Sequence, residues 1–507
     1  MEAVLYEKRF DTGSVTEVSE DYTLPDYRPE IRRVVGVRGT AAVDGKYLSG
    51  EELEADGSVT WNVAYLDPEG RLCEVSETTS FGARLPARSD PSPGTSASGA
   101  GEGDRFGTGD LILTADAENA GCRVTGPRRV TLSARVRLGL LSQKPADMSL
   151  NTEELPPECA ASVRRKTKRV GTARMSEVRG SFEVSGEIRE KEGRIAGAQG
   201  TVCVTETKIE GDRLSFCGDA MVTVLLARED PQTGREEYLI TRGRARTEES
   251  IAVPAENTAL RRAAVFPKVI LTELETDPQS GVIRWRMEYD ADAALIRQGE
   301  SEVTEDAYSP DIATKSEERS CLSLSATAVR NGRLTLTGRF RTGRGAEFLG
   351  GWGTADPGKC AVQGGKAQTA GSVKLTLLTR TGDEIGADEV TLPLRYEWEA
   401  LPGADDADED LLSGRLEAGV AEISARPAET ESGIEWTVTA ELWIAAAVLR
   451  AEPVRGTVRL IPAQEEEPPR KNVIRVYVPE PDETPWDVEK RFRLPGPAEM
   501  TDGVYVI

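Results

Sequence analysis

Alternation of apolar and polar residues is the feature that most limits what this chain can fold into. It runs through three long segments, each apolar at every second position. The apolar positions are Val130, Leu132, Ala134, Val136 and Leu138 in the first segment, Trp285, Met287, Tyr289, Ala291, Ala293 and Leu295 in the second, and Trp436, Val438, Ala440, Leu442 and Ile444 in the third. Successive side chains of a β-strand lie on opposite faces, so this pattern predicts strands with one buried face. We therefore expect a mainly β protein.

The sequence also repeats itself. Residues 36–66 align without a gap on residues 197–227, with eight identities. The identical pairs are Gly36 and Gly197, Gly39 and Gly200, Thr40 and Thr201, Val43 and Val204, Gly50 and Gly211, Leu53 and Leu214, Gly57 and Gly218, and Val63 and Val224. Glycines at matching positions indicate one backbone used twice, because they mark turns or bulges with special dihedral angles. A weaker third copy aligns residues 371–378 with residues 57–64, so the sequence predicts three related, sandwich-like β modules.

The length of 507 residues is too great for one hydrophobic core, so several domains are expected. Polar stretches at 144–168, 302–320 and 463–472 are candidate linkers, and the Ser- and Gly-rich residues 88–110 are expected to form a flexible loop. The predicted units are a first β module over 1–145, a second over 170–300, a divergent third over 318–463 and a small terminal module over 472–507.

Composition argues against most kinds of enzyme. The chain has no histidine, which removes the usual general base and the commonest metal ligand. It has no G-x-S-x-G or P-loop motif, and its seven cysteines include no C-x-x-C pair. We expect no enzymatic activity, no metal and no cofactor. A pair of acidic residues acting as a hydrolase stays open as an alternative, since a glycosidase needs only two carboxylates.

Charge and hydropathy limit the partners. The net charge of −23 repels nucleic acid, and the basic segment 164–169 is interpreted as a solvated part of a linker. The first ten residues lack the apolar core of a signal peptide, and no apolar run has the length of a membrane span. We therefore expect a cytoplasmic protein that binds no nucleic acid and does not insert into a membrane.

The last 36 residues have a different pattern, which predicts a small βαβ module. Residues 473–478 (VIRVYV) are typical of a strand, and residues 504–507 of a second one. Between them, Thr484 is a good N-cap and Pro485 is favoured at the first helical position. The predicted helix runs from Pro485 to Phe492 and should bury Val488 and Phe492, which are four residues apart.

This terminal segment resembles a shortened LysM module. The family motif, roughly V-x-x-G-D-T-L-W-x-I-A-K-R-F, is matched at Thr484, Trp486, Lys490, Arg491 and Phe492, with Val488 in place of isoleucine. The sequence departs from the motif at Asp482, Glu483 and Glu489, and the second LysM helix is reduced to residues 493–503. In LysM modules that bind N-acetylglucosamine chains, the groove lies between the first strand–helix loop and the region around that second helix.

The N-terminal module is similar to SPOCS domains in its opening segment, residues 24–39 (LPDYRPEIRRVVGVRG). As in that family, an alternating strand follows, with Val59, Trp61, Val63 and Tyr65. SPOCS modules joined to a terminal LysM-like module resemble clostridial proteins of spore coat morphogenesis. The resemblance implies a non-enzymatic adaptor that binds the stage IV sporulation ATPase of the coat basement layer. It also implies a place in the mother-cell cytoplasm, at the forespore surface and spore coat.

By the same resemblance, the terminal module is a protein-docking surface, with Thr484, Trp486, Val488 and Phe492 as the candidate partner-binding residues. Trp486 has two possible positions: packed under the helix in the module core, or with its edge in the docking surface. Two other functions stay open. One is a peptidoglycan-binding protein that uses the LysM-like module as a cell-wall anchor, and the other is the cell-wall hydrolase mentioned above.

Overall fold

The computed structural model describes most of the chain, and strands dominate it. The described residues are 5–49, 52–86, 111–189, 193–232, 234–254, 260–277, 280–404, 406–408, 411–430, 433–463 and 474–507. The strands are β1 (Leu5–Thr23), β2 (Arg33–Ser49), β3 (Glu52–Leu66), β4 (Leu72–Pro86), β5 (Leu111–Gly126), β6 (Arg129–Ala146), β7 (Arg164–Arg189), β8 (Arg194–Glu210), β9 (Arg213–Glu229), β10 (Glu236–Ala252), β11 (Leu260–Thr276), β12 (Val282–Tyr308), β13 (Thr314–Thr342), β14 (Ala346–Asp356), β15 (Cys360–Gln363), β16 (Lys366–Thr381), β17 (Glu384–Glu399), β18 (Leu412–Thr430), β19 (Gly433–Pro462), β20 (Val476–Tyr477), β21 (Met500–Thr501) and β22 (Val504–Val506). The described helices are α1 (Pro157–Ala161) and α2 (Pro485–Phe492).

The first six strands form a sandwich of two antiparallel sheets. Strands β2, β3 and β4 form one sheet, and β1, β6 and β5 form part of the other. The alternating residues of β3 and β6 supply much of the core between the sheets, which includes the fully buried Trp61 and Tyr65 opposite Leu132 and Val136. The period-two pattern therefore has its expected cause, burial of one face of each strand.

The same strand order occurs twice more. In the second sandwich, β8, β9 and β10 form one sheet and β7, β12 and β11 the other. In the third, β14, β16 and β17 correspond to the first sheet, with β15 added beside β16, and β13, β19 and β18 correspond to the second. The second and third sandwiches each have their own apolar core. The mainly β, sandwich-like fold is confirmed.

Strand register shows that the three sandwiches are copies of one backbone. Gly36 pairs with Ala64 just after a bulge in β2, and Gly197 pairs with Leu225 just after a bulge in β8. In the third sandwich, Gly350 holds this position, again just after a bulge, and pairs with Leu378. The two long copies thus share the register that their alignment predicts, and the short third copy is aligned correctly.

A second set of equivalent glycines explains why the repeat keeps them. A Cβ atom on Gly57 would lie 2.3 Å from the carbonyl oxygen of Ala42, and one on Gly218 would lie 2.1 Å from that of Cys203. On Gly371 the corresponding distance, to the carbonyl oxygen of Asp356, is 2.0 Å. Since a backbone carbonyl cannot yield as a flexible side chain can, each position excludes a side chain.

The three sandwiches close into a ring. The fourth strand of each contacts the second strand of the next, in the pairs β4 with β8, β10 with β14 and β17 with β2. Arginine side chains donate hydrogen bonds to backbone oxygens across these contacts: Arg33 to Ile385, Arg194 to Leu72 at 3.0 Å, and Arg380 to Glu236. The second sheets of all three sandwiches share an apolar cluster, to which they contribute Tyr6, Met175 and Leu449, respectively.

Beside that apolar cluster lies a set of ion pairs around the buried Arg415 and Asp292. We call this set the junction cluster; it is made of Lys46, Glu177, Arg179, Asp292, Arg415 and Glu417. Arg415, from the third sandwich, lies 2.7 Å from Glu177 and 3.1 Å from Asp292 of the second sandwich. Lys46 of the first sandwich lies 3.1 Å from Glu177. Burial by itself would raise the pKa of Asp292, but the guanidinium groups of Arg415 and Arg179 lower it. The cluster joins all three sandwiches.

Two sequence interpretations are wrong. Most of the candidate linker 302–320 lies in β12 and β13, and the basic segment 164–169 lies in β7, paired with β12. Segment 164–169 is polar on both faces, yet it forms a strand because it pairs with the end of β12, where Val303 and Tyr308 are buried and acidic side chains lie near the basic ones. Lys166, for example, lies 3.3 Å from Glu305. The expected loop over 88–110 lies outside the described residues.

The terminal module differs in detail from a βαβ unit. It has the order β20, α2, β21, β22, and its three short strands form an antiparallel sheet with β22 in the centre. The predicted helix is confirmed with its expected bounds, while the last segment forms a hairpin rather than one strand. No helix in the described parts of the chain is long and apolar enough to cross a membrane.

Candidate functional site

The start of α2 is built by a reciprocal capping box. The backbone N–H of Thr484 donates to the Asp487 carboxylate at 2.9 Å, and the Asp487 N–H donates to the Thr484 hydroxyl at 3.4 Å. Hydrogen bonds from Thr484 lower the pKa of Asp487 below its ordinary value. The Thr484 side chain is therefore the N-cap of the helix, although it is exposed to solvent.

The buried side of α2 packs on the small sheet. Val488 is fully buried, and Phe492 is partly buried with its ring 5.0 Å from that of Tyr477, edge to face. The expectation that these two residues form the apolar face of the helix is confirmed. Tyr505 from the central strand completes this core.

Trp486 and Lys490 lie on a different side of the helix and contact the second sandwich. The indole N–H of Trp486 donates to the carboxylate of Asp306 at 2.8 Å, and its ring lies 5.2 Å from the ring of Tyr308. The ammonium of Lys490 lies 2.7 and 2.8 Å from the two oxygens of Asp306. Asp306 and Tyr308 are at the end of β12, so this face of α2 rests on the ring.

Two further contacts complete this junction. Arg164, at the start of β7, lies 3.2 Å from the buried carboxylate of Glu489. The Tyr308 hydroxyl donates to the carbonyl oxygen of Leu494 at 2.7 Å. Burial, and next the charge of Glu489, raise the pKa of Tyr308. The terminal module is thus attached to the ring mainly by polar contacts.

The four candidate partner-binding residues therefore do not share one surface. Thr484 caps the helix, Val488 and Phe492 face the module core, and Trp486 faces the second sandwich. The two positions considered for Trp486 both differ from the observed one, which is a contact between modules. A role of these four residues in partner binding stays a prediction.

The opposite side of the terminal module exposes an apolar row, which we call the terminal face: Ile474, Val476, Val478 and Val506. Their exposed fractions are 83%, 67%, 68% and 61%. Val476 and Val506 are direct cross-strand partners, and Ile474 and Val478 lie two residues to either side of Val476. Sequence reasoning missed this face, although the segment VIRVYV is apolar at both odd and even positions. A strand of that kind has apolar side chains on both faces, and only one face can meet the module core.

The region that forms a sugar groove in LysM modules is also changed. Residues 493–503 contain no second helix; they run irregularly from the end of α2 to the short strand β21. The Arg493 backbone has a left-handed conformation, with φ of 51°, and ends the helix. The wall that a second helix would supply is therefore missing from this described segment.

Comparison with known proteins adds no relative. No protein-family model, no curated protein and no solved structure matches the chain. The similarity to SPOCS and LysM modules therefore rests on residues 24–39 and 482–492 of the sequence.

Proposed function

We propose that the chain is a non-enzymatic adaptor of spore coat assembly, which binds the stage IV coat ATPase through the terminal face. The single observation that supports this most is the exposure of four aliphatic side chains in one row. Scattered exposed apolar residues are ordinary, but a contiguous row on a small sheet is typical of a protein interaction site.

The position of the terminal face also supports an adaptor. The polar junction turns Trp486 and Lys490 towards the second sandwich, which leaves the sheet side of the module pointing away from that contact. A partner that packs on Val476 and Val506 would then meet a surface held by a large β ring. In this proposal the ring is the rigid support and the terminal module is the contact element.

The test is capture of purified stage IV coat ATPase by the full chain carrying Val476→Asp and Val506→Asp together. Two buried charges in an apolar contact should lower capture at least about tenfold, because an unpaired charge is costly to desolvate. Val15→Asp is the control, since Val15 is also an exposed strand residue, 49% accessible, but lies on β1 in the ring.

Equal capture by the double variant and the wild type would contradict docking through the terminal face. Absence of ATPase capture by the wild-type chain would contradict the adaptor proposal itself. The same preparations should be sedimented with insoluble peptidoglycan. Co-sedimentation without ATPase capture would favour the cell-wall anchor instead.

A further inference from the structure

A cavity lies at the centre of the ring, where the first sheets of all three sandwiches meet. Its apolar wall contains Ala64, Leu225 and Leu378, which occupy the same position in the three copies. The cavity has a volume of about 70 Å³. Because it is formed jointly by three equivalent strands, it exists only when the ring is closed.

Each copy has a glycine at one equivalent position beside this central cavity, and in the first two copies the glycine makes room for a side chain of a neighbouring sandwich. A Cβ atom on Gly36 would lie 2.3 Å from the ring of Trp352, and one on Gly197 would lie 2.6 Å from a carboxylate oxygen of Glu74. The third glycine, Gly350, has φ of +126°, a conformation that side chains rarely adopt. The three copies thus share a glycine, but its neighbours differ: the Trp352 ring packs beside Gly36, and the Glu74 carboxylate packs beside Gly197.

Those groups make the cavity polar on one side. Arg38, Asn62, Glu74 and Gln199 all line it and are partly exposed. A Glu74 oxygen accepts a hydrogen bond from the Ala198 N–H at 2.8 Å. Within the described ranges, the Arg38 guanidinium has no hydrogen-bond acceptor and no carboxylate within 4.0 Å. The side-chain amides of Asn62 and Gln199 likewise have no hydrogen-bond partner there.

Opposite charges therefore line one cavity without pairing with each other. Arg38 lies on β2 and Glu74 on β4, on either side of β3 in the first sandwich, and each charge shifts the pKa of the other. Because both side chains are partly withdrawn from water, burial lowers the pKa of Arg38 and raises that of Glu74. A ligand with one negative and one positive group would solvate both at once.

The volume of the cavity limits the size of the ligand. One water needs about 10–15 Å³ of cavity volume measured in this way, so the cavity holds roughly five waters. Five waters in the liquid occupy about 150 Å³. That is the space of a molecule with about eight non-hydrogen atoms. The aliphatic wall and the indole of Trp352 suit a branched hydrocarbon group.

We propose that the central cavity binds a small zwitterionic amino acid with a branched aliphatic side chain. Its carboxylate lies against Arg38 and its ammonium against Glu74. The amides of Asn62 and Gln199 complete the hydrogen bonds, and the side chain packs on Leu225, Leu378 and Trp352. Binding links all three sandwiches, so the ligand stabilises the closed ring.

The test is isothermal titration calorimetry of the wild-type full chain with L-valine, up to about 10 mM. One saturable site per chain is expected. Isovalerate lacks the ammonium and isobutylamine lacks the carboxylate, so each should bind at least about tenfold more weakly than L-valine. Absence of saturable binding of L-valine would overturn the proposal, as would equal binding of isovalerate. This comparison needs no variant.

Variants then locate the site. Arg38→Gln should weaken L-valine binding at least about tenfold, and Glu74→Gln should reduce the preference for L-valine over isovalerate. Arg84→Gln is the control, because Arg84 is an exposed arginine on β4 that pairs with Glu54 at 3.0 Å, and it should bind like the wild type. Unchanged binding by folded Arg38→Gln would overturn the assignment. If Arg38→Gln does not fold, Gln199→Ala takes its place and should weaken L-valine binding measurably. An unchanged affinity of Gln199→Ala for L-valine would also overturn the assignment of the site.

Discussion

Two kinds of junction hold this molecule together, and they differ in composition. The sandwiches meet through shared apolar clusters and the junction cluster around the buried Arg415, so that each sandwich completes its neighbours. The terminal module meets the ring through a few polar contacts around Asp306, partly open to solvent. Apolar area removed from water supplies most of the stability of a contact, while exposed ion pairs add little. The ring should therefore unfold as one unit, whereas the terminal module can separate from it.

This difference bears on function as well. An adaptor needs a stable body and an element that can adjust to its partner, and elements that move are drawn from the less stable parts of a protein. If the two junctions are independent, a change at one of them should leave the other unaffected.

The largest effect is expected at the junction cluster. Arg415→Ala removes one positive partner from each of Glu177, Asp292 and Glu417. Glu177 and Asp292 then depend on the partly exposed Lys46 and Arg179, so the free energy of unfolding of the ring should fall by about 3 kcal/mol. Urea denaturation followed by tryptophan fluorescence measures this. Arg84→Ala, which removes an exposed ion pair, should cost less than about 1 kcal/mol. Equal losses for the two variants would show that the cluster does not join the sandwiches.

A smaller effect of the same cluster is expected from acid. The pKa of Asp292 is lowered in the folded chain, so its contribution to stability is present above the unfolded pKa of about 3.9 and is lost as the pH falls through the folded pKa. The urea midpoint of the wild type should therefore fall between about pH 5 and about pH 3. Asp292→Asn lacks this titration, so its midpoint should fall less steeply. Parallel curves for both proteins would contradict the assigned role.

Sequence reasoning predicted the strand register of the repeat, but it predicted neither of the two junctions. The register of the repeated strands could be predicted because Gly57 and Gly218 face a carbonyl oxygen that excludes any side chain. The ring itself could not, since its clusters join residues of three modules that show only ordinary alternation. The contact between Trp486 and Asp306 joins residues 180 positions apart. This contact depends on how the folded terminal module packs against the end of β12, and a local sequence pattern does not contain that information.

The basic segment at the start of β7 shows the same limit. Residues 164–169 are polar on both faces, which favoured a linker, yet the strand forms because acidic residues of β12 lie opposite. Thr167, for instance, donates to Glu302 at 2.6 Å. A strand whose partner supplies the opposite charges has no apolar period to detect.

At the polar junction, Asp306→Ala should free the terminal module without unfolding the ring. It removes the acceptor of Trp486 and the counter-ion of Lys490, a loss of about 1.5–3 kcal/mol for charge-assisted hydrogen bonds. Hydrogen exchange should quicken in α2 and at the end of β12, while the β3 and β9 amides stay protected. Asp290→Ala, which removes a bond to Ser181 within the second sandwich, is the matched control. Faster exchange throughout the ring would show that the two junctions are one cooperative unit.

The smallest effect is expected inside the terminal module. Thr484→Ala removes the hydroxyl that accepts from the Asp487 N–H and leaves the first turn of α2 without its side-chain cap. Loss of such a cap costs about 1 kcal/mol, and Thr484→Ser should restore it because serine offers the same oxygen. Hydrogen exchange of the first α2 amides should quicken in the alanine variant alone, and the urea midpoint of the ring should not change. Because the helix presents Trp486 and Lys490 to Asp306, a weakened cap should also loosen the polar junction, but less than Asp306→Ala does. If Thr484→Ala shifts the ring midpoint as much as Arg415→Ala, the terminal module is part of the ring's cooperative unit, and the contrast between the two junctions is wrong.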